Sequence, residues 1–140
     1  MKKSFFLISL IALMTLTSCR VTKTITMINA KSNAAETEVE FIKHKITSIS
    51  FLPLSEEQEE IAIGIWKKEK EQLEKNRLKK NSDIALVIFQ SENEFRSILT
   101  PEQLQEYKAE YNDSMITKYF LSNRAMNEIK RIYKLEGEIR

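Results

Sequence analysis

The chain has 140 residues, of which 30% are charged, with 22 basic against 20 acidic side chains and only two glycines and two prolines. So few turn formers argue against a turn-rich β fold, and so even a charge balance gives no electrostatic footprint for nucleic acid. A single cysteine excludes an internal disulfide, and a single histidine, His44, leaves a histidine-based metal site or general base almost nothing to build on.

Residues 1–18 read as a signal peptide. Lys2 and Lys3 form a basic start and 5–16 a short apolar run, shorter than the roughly 20 residues that a spanning helix needs. The run ends in LTSC at 16–19, which resembles the lipobox of bacterial lipoproteins, so Cys19 is the expected site of lipid attachment and the new N-terminus. Acyl chains on Cys19 would hold the chain to a membrane without a transmembrane helix. Arg20, in the place of an aspartate, resembles the sorting pattern of outer-membrane rather than inner-membrane lipoproteins, on the periplasmic side of the envelope. Removing these 18 residues leaves 122, enough for one small domain, and brings the basic count down to 20 against 20 acidic.

Residues 19–35 are small, polar and rich in hydroxyls, and read as a flexible tether; 21–28 could instead pair as an edge strand. From Glu36 the pattern turns helical, with Val39, Ile42, Ile46 and Ile49 on one face until Pro53 ends the helix. A second helix is expected from Ser55 to about Lys80, with four glutamates in its first turns and lysines and arginine in its last, and with Ile61, Ile65 and Leu73 beside Trp66. Gly64 within it implies either close backbone packing or a bend. Asn81, Ser82 and Asp83 look like the cap of a third helix carrying Ile84, Ile88, Phe95, Ile98 and Leu99; the rival reading makes 84–89 a buried strand. A fourth helix places Leu104, Tyr107, Tyr111, Met115 and Tyr119 on one side, and a last short one from Ser122 carries Ala125, Met126, Ile129, Ile132 and Tyr133. The expected fold is all-α: a small helical hairpin or bundle of four to five amphipathic helices, with a domain at 36–121 and a helical extension at 122–140.

Two of these helices open on copies of one pentad, LSEEQ at 54–58 and LTPEQ at 99–103. A serine or threonine followed three residues later by glutamine is a capping box. The hydroxyl of Ser55 or Thr100 satisfies a first-turn N–H, and Gln58 or Gln103 reaches back to the cap residue's own N–H. Pro101 suits the first helical position, and Leu99 and Leu104 occupy the two staple positions around the second box.

Two such boxes about 45 residues apart, in a small exported helical chain, resemble the LTxxQ-motif family of periplasmic proteins. The second copy matches the motif fully; the first has Ser55 in place of threonine. The resemblance implies a four-helix hairpin that pairs into a thin curved homodimer, whose concave face holds unfolded clients without nucleotide, in a stress response. The chain departs from the family's familiar soluble members in its lipobox and in the residues beyond Tyr111.

No glycine-rich phosphate loop, nucleophile elbow or HExxH occurs, so the expectation is a non-enzyme without metal or cofactor. His44 and the acidic run at 56–60 read as solvated helix surface. The run at 67–80 mixes Glu69, Glu71 and Glu74 among its bases and reads as a solvated face, although its end at Lys79 and Lys80 suits acidic clients or anionic lipid. Trp66, Tyr107, Tyr111 and Tyr119 are either core or, in a thin helical layer, a sticky client surface. The leading expectation is therefore a membrane-anchored, chaperone-like binder of unfolded or envelope proteins, with no nucleic acid involved. An adaptor for one envelope-stress partner and a purely structural lipoprotein are the alternatives.

Overall fold

The computed structural model describes residues 21–113 and 117–140; Cys19, the signal segment and Met115 lie outside them. The fold is all-α. Its helices are α1 over 21–35, α2 (Glu38–Ser48), α3 (Glu56–Asn76), α4 (Asn81–Ser97), α5 (Pro101–Glu110) and α6 (Asn123–Tyr133).

The first of these corrects the expected tether, for residues 21–35 are a packed helix. It is built inside out. Thr22, Thr26, Met27, Ala30, Asn33 and Ala34 are buried, while Val21 and Ile28 face solvent. The inward residues follow helical spacing, but small and hydroxyl side chains carry little hydrophobic signal, so the pattern looked like a linker. Polar contacts hold the helix: Lys70 Nζ donates to the Ala34 carbonyl (3.0 Å), and Asn29 and Asn33 donate to the Thr117 and Lys118 carbonyls.

Helix α2 keeps only part of its expected face: Ile49 is buried and Ile42 packs on the core, but Val39 is 78% and Ile46 46% exposed, and Phe41 and Lys45 point inward in their place. Its start carries a third capping box, in which Thr37 and Glu40 satisfy each other's backbone N–H groups. Helix α3 ends at Asn76, leaving 77–80 as a turn, and buries Ala62, Trp66 and Leu73 while Ile61 stays exposed. The helix runs uninterrupted through Gly64, which admits no closely packed backbone, for nothing lies within 4 Å of where its Cβ would stand.

Residues 84–89 are helical, within α4, and the N-cap there is Lys80 rather than a side chain of 81–83. Helices α3 and α4 form the main hairpin, α2 packs on α3, and α6 packs on α4. Residues 122–140 are thus part of the same core: Ala125, Met126 and Ile129 are buried, and Arg96 near the end of α4 donates to Asn123 at the start of α6. At the core's centre sits Phe120, which belongs to no helix. Its ring lies 5.5–5.9 Å from those of Trp66, Phe95, Tyr107 and Tyr111.

Candidate functional site

The two pentads form both expected capping boxes, and the fold brings them together. Ser55 and Thr100 each accept from the N–H three residues on, and Gln58 Oε1 and Gln103 Oε1 each accept from the cap residue's own N–H. The side-chain amides then pair reciprocally: Gln58 Nε2 donates to Gln103 Oε1 (2.7 Å) and Gln103 Nε2 to Gln58 Oε1 (3.1 Å). The second hydrogen of each amide goes to a carbonyl two residues before the other cap, Ile98 for Gln58 (2.8 Å) and Pro53 for Gln103 (2.7 Å). Each glutamine thereby uses both acceptor positions and both donors. Leu54, Leu99 and Leu104 pack on the core beside them. The junction locks the α2–α3 connection to the α4–α5 connection and leaves no free polar group to act on a ligand.

Two buried polar networks lie deeper. Lys45 Nζ contacts Glu69 Oε2 (2.7 Å), which also accepts from Ser91 Oγ (2.7 Å), and the ammonium lies over the Phe120, Phe41 and Trp66 rings. Glu92 receives Arg96, the Tyr107 hydroxyl and the Leu121 N–H, while Arg96 further donates to the Leu121 carbonyl and Asn123. Burial, then the Glu92 charge and hydrogen bond, push the Tyr107 hydroxyl well above its ordinary range. Burial followed by Glu92 and Glu110 pushes Tyr111 up to about 12. Each carboxylate is committed to a cation and to donors, so these groups hold the fold rather than offer an acid or base. Among the described residues no cluster of His, Cys, Asp and Glu is arranged for a metal.

His44 stands half-exposed on α2 beside Glu36 (3.1 Å) and the Tyr119 hydroxyl (2.8 Å). Burial raises the Glu36 carboxyl, but hydrogen bonds from Lys118, His44 and Tyr119 outweigh it and hold the group below its ordinary value. This cluster fastens 117–119 to the start of α2.

Of the two readings the sequence leaves for the aromatics, core or client surface, burial selects the core and corrects the surface reading. Trp66, Tyr107 and Tyr111 are core residues, and Tyr119 is half-buried and bonded to Glu36. Part of what the sequence assigns to the core faces solvent instead: Val39 and Ile46 are exposed, while Ile42 packs half-buried and Ile49 is buried. Val39, Ile42 and Ile46 of α2 border Ile63 of α3, with Lys43 and Lys67 alongside, in a groove of about 460 Å³. It continues into a second depression of about 410 Å³ lined by Ile46, Ile49, Leu52, Leu54 and Ile63, with Trp66 at its floor. The signal that could have found this groove is Lys45: a lysine four residues after Phe41 and four before Ile49 marks a second face competing for the interior.

Comparison of the chain with known protein families, characterised proteins and solved structures finds no match. Among the described residues no helix is long and apolar enough to cross a membrane.

Proposed function

We propose that this chain is a lipid-anchored envelope protein that works by binding rather than catalysis, holding exposed apolar segments of other proteins in the groove between α2 and α3 without nucleotide. The observation that carries the reading is the exposed pair Val39 and Ile46, which with the half-buried Ile42 and Ile63 line one groove. Leaving a valine or isoleucine fully in water forgoes about 1.5–3 kcal/mol of burial, and the exposed Val39 and Ile46 lie in one groove rather than scattered. Lys43, Lys67 and Glu38 line the same groove and Glu59 the adjoining one, so both signs are available to charged flanks of a bound segment. The capping boxes and the glutamine junction keep the groove's walls preorganised, which lowers the ordering cost of binding. The lipobox at 16–19 supplies the anchor.

The test is light scattering of a chemically denatured client diluted onto the protein held in lipid nanodiscs, without ATP. Near-equimolar protein should slow aggregation, and Val39→Glu with Ile46→Glu should abolish the effect while circular dichroism stays unchanged. Equal suppression by the double variant would remove the groove from the reading. Capture of one folded protein in place of denatured clients would favour an adaptor.

A further inference from the structure

At the opposite end of the bundle from the glutamine junction lies a surface that neither the core nor the α2–α3 groove explains. The turn between α3 and α4 reads Arg77, Leu78, Lys79, Lys80. Leu78 is 96% exposed, the most exposed large apolar side chain described, and its three basic neighbours are also exposed and form no ion pair among the described residues. Bases further back are already engaged, Lys75 by Glu71 and Lys70 by Glu74. The turn is therefore an unpaired basic ring around one projecting leucine.

Other elements bring matching chemistry to the same place. Lys23 Nζ, in the first turns of α1, lies 5.6 Å from the Tyr133 ring at the end of α6. The Tyr133 hydroxyl faces Asn81, the first residue of α4, without a hydrogen bond of normal geometry. The start of α1, the start of α4 and the end of α6 thus meet next to the 77–80 turn. They add Lys23, the exposed Lys134 and Val21, which is 52% exposed.

We propose that this end of the bundle docks on an anionic lipid surface, with Leu78 entering the headgroup layer and Arg77, Lys79, Lys80 and Lys23 meeting lipid phosphates. A membrane is favoured over an acidic polypeptide by shape and by position. An exposed leucine flanked by an arginine and a lysine is a projecting tip, which suits a plane; such side chains place their apolar part in the interface and their charge among headgroups. The chain also enters this end at residue 21, so a lipid on Cys19 would bring the same face to the bilayer. That last point rests on the anchoring proposed above; the exposure and charge of the turn do not.

The experiment uses the full chain with the probe Leu78→Trp, mixed with vesicles of brominated phosphatidylcholine with or without phosphatidylglycerol, and wild type as the background from buried Trp66. Quenching of the probe in phosphatidylglycerol vesicles is expected, falling about tenfold or more when Arg77, Lys79 and Lys80 are all changed to glutamate, and weakening in high salt. Quenching no greater than the wild-type background would overturn the docking, as would equal quenching in both vesicle types, and so would displacement of the probe by poly-glutamate irrespective of lipid. Cosedimentation reads the anchor separately. A triple variant that still pellets with vesicles yet loses quenching supports the docking with the anchor intact. Wild type that pellets only with phosphatidylglycerol removes the anchor and leaves the docking standing.

Discussion

At the junction end of the bundle, Gln58 and Gln103 close every hydrogen bond they can make on each other and on the two connections they join. At the other end, residues 77–80 are all exposed and their charges meet no partner among the described residues. The two ends were equally conspicuous in the sequence, one as a repeated pentad and the other as a basic run. What separates them is satisfaction: a polar group whose partners are internal fixes geometry, while one without partners is available to something outside the chain. Substitutions at the junction should therefore cost stability, and substitutions at the tip should cost association and little else.

The scale is set between the ends, at the buried Lys45 and Glu69. Changing Glu69→Gln leaves an ammonium uncompensated in the core and is expected to cost about 3–5 kcal/mol in urea denaturation. A loss under about 1 kcal/mol would mean that water reaches the pair. At the junction, Gln103→Ala removes one amide and strands the Pro53 carbonyl and the Gln58 amide, for an expected loss of about 2 kcal/mol. Adding Gln58→Ala should then cost less than it does alone, because the two amides act as a unit. Strict additivity in that cycle would show that the boxes work separately and would break the comparison.

Alkali tests the same core. Tyr111 is neutral in the fold, with its pKa raised to about 12 from 10.0, and burial raises Tyr107 in the same direction. A raised folded value means that this contribution is complete below pH 10 and is lost as pH climbs towards 12. Circular dichroism should therefore show unfolding in that window, and Tyr111→Phe should move its onset upward. Smaller again is Gly64→Ala, which fills open space on an exposed stretch of α3 and should stabilise the fold by about 0.5–1 kcal/mol. Smallest is Leu78→Ser, expected to shift stability by less than about 0.5 kcal/mol while weakening attachment to anionic vesicles.

Much of the helical framework was legible because caps announce themselves: Ser55 with Gln58 and Thr100 with Gln103 sit where their spacing says. The third box, Thr37 with Glu40, carries the same signature beside an apolar stripe of which Val39 and Ile46 face solvent while Ile49 is buried. The stripe misled because α2 has two faces of similar length, and the one holding Phe41, Lys45 and Ile49 wins by giving Lys45 a carboxylate and three aromatic rings. No local pattern records that carboxylate, which stands 24 residues away. The pairing of Gln58 with Gln103 was hidden for the same reason, since a box predicts its own backbone bonds and not a partner 45 residues distant. Helix α1 was missed because it buries threonine, asparagine and alanine, whose packing is carried by hydrogen bonds and close approach rather than by hydrophobicity. Helical spacing leaves the aromatics either core or surface, and Phe120 decides for the core by giving Trp66, Tyr107 and Tyr111 a centre to gather around.

That α1 is a packed helix rather than a coil also settles a question of mechanics. Fifteen residues of loose chain would let the domain wander about 20 Å from its point of attachment, sampling many headings. As a helix tied down by Lys70, Asn29 and Asn33, the same residues form a stiff strut, so a pull on the α2–α3 groove is passed directly to residue 21. Were residue 21 held at a surface by the anchor proposed above, these fifteen residues would add no slack between that point and the rest of the fold.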